Sequence, residues 1–304
     1  MNENFPKVTV LLATFNGAKY LEEQLTSLNT QQDVEVEVLV NDDGSTDGTL
    51  EILETWKAKG IIVSISQSRD LGPTHAFLSL LQSCDQKEFV AFCDQDDVWE
   101  SRKLITQIQA ISSDSPQMVF SRREYIDEQN QRIGISPKIR REVSLRNALV
   151  ENSAPGNTQM LNNEAVRIVN RLQNDNVQHY DSWIYLIINA LGECRHIDRP
   201  LVRYRIHDNN SVGNRRYQIV RILRSPDHYY NQALNFKKSM ILGGLNSEFA
   251  EIENFLKFVE QPKSYRRLFQ SIYVGIYRQR KLDDFILKCI LIIRVPKRSF
   301  SRIS

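Results

Sequence analysis

The chain has 304 residues, 41% of them hydrophobic and 25% charged, and this composition predicts a folded globular protein rather than a disordered one. The length allows one large domain with an appendage, or two modest domains. The net charge of +2 hides an asymmetry, because residues 211–304 hold 18 Lys+Arg against 7 Asp+Glu, whereas residues 1–210 hold 21 against 30. The first part therefore resembles a soluble enzyme in its charge, and the last part is expected to be attracted to something anionic.

The sequence offers no signal for secretion or membrane insertion. It contains no run of 18 apolar residues, so we expect no membrane-spanning helix. The first residues lack a basic and apolar leader, which favours a cytoplasmic location. The four cysteines (Cys84, Cys93, Cys194 and Cys289) are widely spaced and form no metal motif, so we expect them to be buried and reduced.

The first 127 residues alternate between short apolar runs and helical patterns, which is typical of a parallel sheet with crossover helices. The run 7–15 is rich in Val and Leu and predicts a strand buried on both faces. Right-handed crossovers then favour a doubly wound α/β sheet with helices on both faces. The predicted strands are 7–15, 34–40, 61–66, 89–93 and 118–125, and the predicted helices are 18–30, 49–59, 72–84 and 101–112.

After residue 127 the pattern changes. Residues 129–153 are polar with one predicted helix, as expected of loops over an active site. From about residue 214 the pattern is helical throughout, so we predict a domain over 1–213 and a basic helical C-terminal region over 214–304. The elements predicted between these parts are helices over 163–172 and 181–191, the second amphipathic, and a strand over 196–207.

Three polar motifs follow three of the predicted strands: Ala13-Thr14-Phe15-Asn16-Gly17, Asp42-Asp43-Gly44-Ser45 and Asp94-Gln95-Asp96-Asp97. The first could hold a phosphate or a base with its backbone N–H groups and the following helix N-terminus. Taken singly, the first two are ordinary turn sequences. Their convergence on one edge of a sheet is informative, because open α/β sheets bind ligands at the carboxyl ends of their strands.

The third motif places three carboxylates within four residues at the end of an apolar strand. Like charges this close raise each other's pKa, and a divalent cation relieves the conflict. Oxygen ligands suit Mg²⁺ or Mn²⁺, which proteins bind with one or two carboxylates plus substrate phosphates. The motif therefore indicates chemistry on a nucleotide diphosphate. The alternative is that these residues only form a turn and cap the next helix, a role open to Asp97.

The segments LLATFNG, VNDDGSTD and FCDQDDVW, in this order and spacing, resemble the family 2 glycosyltransferases over roughly residues 7–210. Within that family the chain is most similar to rhamnosyltransferase-like enzymes of bacterial surface-polysaccharide pathways. The resemblance implies a GT-A fold, which is Rossmann-like with a mostly parallel sheet. It also implies inverting transfer from a nucleoside-diphosphate sugar, either dTDP-rhamnose or a UDP-sugar, to a hydroxyl of a glycan or lipid-linked acceptor.

The same resemblance implies roles for single residues at the nucleotide. Thr14 and Phe15, with Asn16 beside them, would line the base and ribose. Asp43 would accept a hydrogen bond from the pyrimidine imide N–H, and its neighbour Asp42 belongs to the same predicted site. Asp94 would contact the ribose or the metal shell.

At the metal and the acceptor the resemblance implies further roles. Asp96 would ligate Mn²⁺ or Mg²⁺, and His207, in Tyr204-Arg205-Ile206-His207, can complete the metal or diphosphate site. Gly156 and Asn157 match a loop beneath the acceptor. Asp181, at the head of a later helix, occupies the place of the catalytic base.

The chemistry needs these groups independently of any family. Displacement of a nucleoside diphosphate builds negative charge on the leaving phosphate, which a metal neutralises and which Arg203 or Arg205 could stabilise by a charge-assisted hydrogen bond. The attacking hydroxyl must lose a proton, and one carboxylate can accept it. Asp181 could instead cap its helix, and His207 could be an ordinary histidine at a strand end.

Residues 285–295 form a short apolar stretch amid basic charge, too short to span a bilayer. It could lie in the interface of an anionic membrane, at the inner face of the cell membrane, and this position suits an acceptor carried on a lipid. A core helix or a contact within a homo-oligomer explains the stretch equally well. We expect no nucleic-acid binding, because no aromatic-basic motif accompanies the charge.

Two rival functions remain at this stage. A sugar nucleotidyltransferase would need a basic, glycine-rich phosphate loop after the first strand, where this chain has Asn16-Gly17-Ala18-Lys19. A catalytically silent sugar-binding scaffold of a polysaccharide complex would not need the acids Asp43, Asp94, Asp96 and Asp181, all of which are present.

Overall fold

A computed structural model describes residues 5–112, 114–207, 215–245, 249–260 and 275–293. Its first third is the predicted alternation of strands and helices. In chain order the elements are β1 (Lys7–Thr14), α1 (Ala18–Asn29), β2 (Glu35–Asp42), α2 (Thr49–Ala58), β3 (Ile62–Gln67), α3 (Gly72–Gln82) and β4 (Phe89–Asp94).

The middle of the chain contains the predicted strand and helices together with three short strands that the sequence pattern did not predict. The unpredicted strands β5, β7 and β8 have two to four residues, too few for an alternating pattern to be recognised. The elements are β5 (Val98–Trp99), α4 (Lys103–Ile108), β6 (Gln117–Ile126), β7 (Arg132–Ile135), α5 (Leu145–Ala148), a 3₁₀ turn (Gly156–Thr158), β8 (Met160–Asn162), α6 (Asn163–Leu172), α7 (Tyr180–Leu191) and β9 (Glu193–Arg205).

The described strands form one sheet in the order β3-β2-β1-β4-β8-β6-β9-β5, with β7 beside β6. β1 pairs in parallel with β2 and with β4, and β2 pairs in parallel with β3, as predicted. The other half is mixed, because β8 runs antiparallel to both β4 and β6 while β6 and β9 are parallel. The doubly wound half therefore carries the three strand ends with polar motifs.

Apolar side chains on the two faces of the sheet form two separate cores. Successive residues of a strand point to opposite faces. Accordingly Leu11 of β1 belongs to the core beneath α3, α6 and α7, whereas Val10 and Leu12 belong to the core beneath α1 and α2. All three are fully buried, which confirms that β1 is covered on both faces.

Helix α7 differs from the prediction. The pattern suggested an amphipathic helix with one solvent face, but Ser182 to Ile188 are all buried. The reason is tertiary: helix α8 (Arg215–Leu242) covers the outer face, where Phe236 packs edge-on against Trp183 with ring centroids 6.0 Å apart. Sequence periodicity could not reveal this cover, because it comes from a distant segment.

The described C-terminal part is helical, as predicted, and consists of α8, α9 (Ala250–Glu260) and α10 (Lys281–Ile293). Phe236, Phe255 and Leu287 of these helices belong to the same core as α3 and α7, so apolar packing continues across the predicted boundary at residue 213. The division into two domains stays a prediction. Helix α10 confirms the helical part of the predicted 285–295 stretch, and residues 294–304 lie outside the described part. None of the described helices is long and apolar enough to cross a membrane.

Candidate active site

The three polar motifs meet at one edge of the sheet. Thr14 at the end of β1 lies opposite Asp42 at the end of β2, and Ala13 lies opposite Asp94 at the end of β4. Because these three strands are adjacent and parallel, all three motifs emerge on the same side, as the sequence predicted. The site is built on this edge.

Asp42 organises the loop after β2. Its carboxylate accepts hydrogen bonds from the hydroxyls of Thr14 (2.8 Å) and Ser45 (2.6 Å) and from the backbone N–H groups of Gly44 and Ser45. A carboxylate has about four acceptor positions, so Asp42 is saturated. Asp42 and Thr14 have 0% and 2% exposure, so neither side chain has surface to offer a nucleotide. We assign both a structural role in place of the predicted ligand contact.

The N-terminus of α1 is also occupied by the chain itself. The backbone N–H of Asn16 donates to the Ser45 hydroxyl (2.9 Å), that of Gly17 to the Thr49 hydroxyl (2.8 Å), and that of Ala18 to Asp47 (3.1 Å). The Asn16 side chain in turn accepts from the N–H of Thr46. The expectation that these donors hold a phosphate is therefore corrected: they tie the first motif to the second.

Gln95 ties the first motif to the third. Its side-chain amide accepts from the N–H of Phe15 (2.9 Å) and donates to the carbonyl of Phe15 (3.0 Å). A Cβ on Gly17 would lie 2.1 Å from the Gln95 Oε1, so only glycine leaves room for this pair. Phe15 itself is 49% exposed and presents an apolar ring at the site. Its predicted contact with the nucleotide is sterically open.

Asp43 is held in its ionised form by the segment after β3. Its two oxygens accept hydrogen bonds from the Ser68 hydroxyl (2.7 Å) and from the N–H groups of Leu71 (3.1 Å) and Gly72 (2.7 Å). Burial by itself raises the pKa of Asp43, but these hydrogen bonds outweigh burial and lower the pKa below its usual value. One acceptor position remains on an oriented carboxylate, as hydrogen bonding to an N–H would require.

The acid cluster after β4 carries the largest electrostatic strain of the site. Burial, followed by the charges of Asp96 and Asp181, raises the pKa of Asp94 to about 7, although the charge of Arg123 opposes this shift. The pKa of Asp97 is also raised well above its usual range by burial and by its two acidic neighbours. Tyr180 of α7 packs against Phe92 of β4 with ring centroids 5.2 Å apart, so Asp181 lies near the end of β4, in agreement with its influence on the pKa of Asp94.

Asp97 connects the acid cluster to the 3₁₀ turn and to β9 rather than to a ligand. It has 0% exposure, accepts a hydrogen bond from the Asn157 amide and accepts another from the backbone N–H of Arg205 (3.2 Å). Asn157 is 1% exposed, so its predicted ligand contact is replaced by this internal bond. Gly156 is needed for packing, because a Cβ there would lie 1.9 Å from the Tyr180 hydroxyl oxygen.

Asp181 lies in the first turn of α7 and its carboxylate is fixed. One oxygen accepts a hydrogen bond from the Asn152 amide (2.8 Å), and the other accepts from the N–H of Ser182 (2.7 Å). The bond to Ser182 is local, whereas the bond to Asn152 orients the group from a different loop. Asp181 therefore can lie in the first turn of its helix and have its carboxylate oriented by a separate loop at the same time.

Arg205 does not reach the site surface. Its guanidinium donates to the carbonyl of Asp96 (2.9 Å), to the Asn130 side chain (2.8 Å) and to Glu23 (2.6 Å), and it stacks 4.6 Å from the centre of the Tyr20 ring. The Arg205 side chain has 0% exposure. We therefore correct the predicted role in nucleotide binding: Arg205 anchors the acid cluster from behind.

Arg123 is the cation that faces the acids, and the sequence analysis missed it. It lies on β6, its guanidinium stacks 4.4 Å from the centre of the Tyr204 ring, and its charge lowers the pKa of Asp94. Its buried Nε has no hydrogen-bond partner among the described residues. The only signal in the sequence is the pair Arg122-Arg123 inside a strand, where one of two consecutive side chains must point inward.

A divalent cation fits the donor set, although the protein alone does not complete its shell. Nε2 of His207 lies 2.8 Å from Oδ2 of Asp96, which brings together two of the predicted ligands. Within the described ranges no three His, Cys, Asp or Glu side chains form a cluster able to hold a metal. This is the arrangement expected where substrate phosphates provide the remaining ligands. The raised pKa of Asp94 is a further reason for a cation here.

Comparison with known proteins identifies the family. The model for Glycosyl transferase family 2 matches residues 9–165, just over half of the chain, so the chain belongs to this family of glycosyltransferases. It is 27% identical over 216 residues to the dTDP-rhamnosyl transferase RfbG of Shigella flexneri, covering 66% of this chain and 73% of that protein.

Solved structures show the same fold. Staphylococcus aureus TarS 1–349 in complex with UDP-GlcNAc has a TM-score of 0.59 at 20% identity, covering 82% of this chain and 70% of that one. The mannosyltransferase PcManGT of Pyrobaculum calidifontis, in complex with GDP-Man and Mn²⁺, has a TM-score of 0.53 at 19% identity, covering 95% and 85%. The predicted GT-A fold with a helical C-terminal region is thus confirmed.

Proposed function

We propose that the protein is a metal-dependent, inverting glycosyltransferase of bacterial surface-polysaccharide synthesis. It takes a sugar from a nucleoside-diphosphate donor and attaches it to a hydroxyl of a glycan or lipid-linked acceptor. The observation that carries the proposal is the convergence of acids on one space. Asp94 and Asp96 come from the end of β4, and Asp181 from α7 is close enough to raise the pKa of Asp94.

The donor nucleotide would occupy the edge formed by β1 and β2. Phe15 offers an exposed aromatic face for a base or ribose. Asp43, held ionised by Ser68 and two backbone N–H groups, would accept the imide N–H of a pyrimidine. Thr14, Asn16 and Asp42 would keep both groups in place without contacting the ligand.

A divalent cation, Mn²⁺ or Mg²⁺, would be held by Asp94, Asp96 and His207 and would neutralise charge on the leaving diphosphate. Asp96 is braced from behind by Arg205, which binds its backbone carbonyl. Arg123, on the opposite side of the acids, would supply positive charge to the phosphates. PcManGT binds GDP-Man together with Mn²⁺, which supports a metal in this fold.

Asp181 would act as the base. The acceptor oxygen forms a bond to the anomeric carbon as the bond from that carbon to the diphosphate oxygen breaks, and the proton of the acceptor hydroxyl passes to the Asp181 carboxylate. Asn152 holds this carboxylate in one orientation. A single displacement of this kind inverts the anomeric configuration.

The nucleotide and sugar are proposed from the relatives. RfbG is named for dTDP-rhamnose, and TarS has been solved with UDP and UDP-GlcNAc. We therefore place dTDP-rhamnose first and a UDP-sugar second. Both nucleotides carry a pyrimidine imide N–H for Asp43.

The test is a thermal-shift panel of nucleotide sugars with Mn²⁺ or Mg²⁺, followed by turnover of any donor that binds. A ligand of the folded state raises the Tm as its concentration exceeds Kd. We expect one pyrimidine-nucleotide sugar to raise the Tm more than its bare nucleotide does. We expect this stabilisation to be lost when the metal is chelated. Absence of any donor-dependent shift would refute the proposal.

Variants separate an enzyme from a silent scaffold. We expect Asp181→Asn to bind donor normally but to transfer about 10²- to 10⁴-fold more slowly, and Asp96→Ala to lose metal-dependent donor binding. Asp33→Asn is the matched control, because Asp33 is a surface acid paired with Arg102. Donor binding without turnover in the wild-type chain, over a panel of acceptors, would favour the scaffold.

A further inference from the structure

A large basic cavity adjoins the candidate active site. It has a volume of about 790 Å³ and is lined by β6, the segment 136–141, the segment 151–155 and the segment 278–283. Eight of its twenty-one lining residues are Arg or Lys, and only Glu151 and Asp283 are acidic. We call it the basic cavity.

The basic cavity shares residues with the catalytic centre. Arg123 lines it and stacks 4.4 Å from the centre of the Tyr204 ring, next to Arg205, whose backbone N–H donates to Asp97 of the acid cluster. Asn152 lines it and donates a hydrogen bond to Asp181, the proposed base. A molecule in the cavity therefore lies beside the group that would deprotonate the acceptor, whereas the nucleotide edge of β1 and β2 contributes no lining residue.

Several cations in the basic cavity are not neutralised by the protein. Arg122 and Lys138 share the single carboxylate of Asp198. In the described part of the chain, Arg140, Arg280 and Lys281 have no carboxylate within 4.0 Å. Such a concave excess of positive charge concentrates anions.

Arg278 is the most informative of these cations. Its side chain is only 14% exposed, and its nearest acid is Glu151, with Nε and an Oε1 3.7 Å apart, too far for a hydrogen bond. Its Nε and one terminal nitrogen have no hydrogen-bond partner among the described residues. A buried guanidinium with unused donors costs free energy unless a ligand accepts from it.

The walls of the basic cavity are held together before any ligand arrives. The Gln279 side chain accepts from the backbone N–H groups of Arg140 (3.0 Å) and Arg141 (2.9 Å), and the backbone N–H of Gln279 donates to the Glu151 carboxylate (2.6 Å). These bonds join the segment 136–141, which follows β7, to the segment that precedes α10. The backbone that carries these Arg residues is thus set in advance, and Arg guanidinium groups suit phosphate because its oxygens match their paired donors.

We propose that the basic cavity binds a phosphate or pyrophosphate group carried by the acceptor, so that the acceptor substrate is a phosphorylated glycan. The inference rests on the proposed function, since it places the acceptor beside Asp181. The phosphate anchors the acceptor through Arg140, Arg278 and Arg280, and the hydroxyl that attacks extends toward Asn152 and Asp181.

The first test uses inorganic pyrophosphate as the probe and the full-length chain in a metal-free, chelator-containing buffer. Binding is measured by calorimetry for the wild type and for Arg140→Glu/Arg280→Glu. Both side chains are exposed, so the changes spare the core. We expect the double variant to bind about 10- to 100-fold more weakly, the loss typical of charge-assisted hydrogen bonds. Arg102→Glu, outside the cavity, is the control and should bind as the wild type does.

Equal affinity in the wild type and the double variant would overturn the inference, as would no binding at all. A parallel measurement of donor binding separates failure of this inference from failure of the proposed function. The double variant should keep the wild-type Kd for donor in the presence of Mn²⁺. If donor binds to the wild type but pyrophosphate does not, only the inference fails; if neither binds, both fail.

The second test distinguishes the source of the phosphate. A soluble alkyl-pyrophosphoryl sugar and vesicles of phosphatidylglycerol are offered in parallel, with a single-stranded oligonucleotide as a third probe. We expect the sugar pyrophosphate to lower pyrophosphate binding in the wild type and to show a KM raised about 10- to 100-fold in the double variant. Binding of vesicles or oligonucleotide through Arg140 and Arg280, without binding of the sugar pyrophosphate, would refute it.

Discussion

Arg205→Met tests whether the buried arginine behind the acid cluster is a structural anchor or a ligand contact. Among the described residues, the guanidinium donates hydrogen bonds to the carbonyls of Asp96 (2.9 Å) and Asp127 (3.3 Å), to Asn130 (2.8 Å) and to Glu23 (2.6 Å). Methionine fills similar space but leaves these acceptors without their donor.

The magnitude follows from burial. Removing one partner of a buried ion pair typically costs about 3–5 kcal/mol. The Glu23 side chain is 39% exposed, so water can solvate part of its unpaired carboxylate. We therefore expect Arg205→Met to lower the free energy of unfolding by about 3–4 kcal/mol. For a chain of this size each kcal/mol lowers the Tm by about 2–4 °C, so the fall should be about 6–16 °C. Arg205→Lys keeps the charge but not the planar set of donors, and should fall about half as far.

The measurement is thermal unfolding of the unliganded protein by calorimetry, with donor affinity measured separately. Arg203→Met is the matched control: Arg203 lies on the same strand, is 29% exposed and faces Glu124 at 3.6 Å. A partly exposed pair of this kind should contribute less than about 1 kcal/mol. An Arg205→Met protein with the wild-type Tm and a donor Kd raised at least tenfold would show that the structural assignment is wrong.

Three further predictions concern stability. Burial by itself raises the pKa of Glu37, but hydrogen bonds from Lys7, Lys87 and Thr9 outweigh it and lower the pKa from 4.5 to about 2. Glu37 therefore stabilises the fold above pH 4.5 and loses this contribution as the pH falls toward 2; Glu37→Gln should destabilise by about 1–3 kcal/mol in urea unfolding at pH 7, and the difference should shrink at pH 3.5. Gly17→Ala should cost about 1–3 kcal/mol by displacing Gln95, and Gln95→Ala should make that added methyl nearly neutral in a double-mutant cycle. Gly156→Ala should lower the free energy of unfolding by about 1–3 kcal/mol in calorimetry and should also slow sugar transfer, because Tyr180 packs against aromatic neighbours and cannot move aside. Unchanged Tm and rate would contradict this packing argument.

The doubly wound half of the fold was predictable because its information is local. Each strand from β1 to β4 is a short apolar run, each is followed by polar turn residues, and the pairing of neighbours follows from right-handed crossovers. The end of α2 before Gly60 also depends on local sequence. Gly60 has a φ of 93°, and glycine is the residue that most easily adopts the left-handed conformation that follows a helix. The very short strands and the covered face of α7 depend on distant segments and could not be predicted.

At the candidate site, residue types were predictable but their division of labour was not. Asp42 and Asp43 are adjacent and identical, yet one is saturated by its own loop and the other keeps an acceptor position. Arg205 and Arg123 were also indistinguishable by type. The β6–β9 pairing shifts register at Ser121, Arg122 and Arg123, so alternation along the strand does not tell which arginine points inward.

The charge asymmetry of the sequence predicts an anion at the C-terminal region, which stays a prediction, and the structure adds a basic cavity to which both parts of the chain contribute. Five of the eight cations in the basic cavity, including Arg123 and Arg140, come from the part of the chain that is acidic overall. Net charge per segment hides this, because it counts these cations together with all acids of the same part, including those at the ends of β2 and β4. Folding thus separates an acidic edge suited to a cation and diphosphate from a basic cavity suited to an anionic acceptor. Arg123 lines the basic cavity and its charge also lowers the pKa of Asp94 at the acidic edge, so this one side chain contributes to the electrostatics of both places.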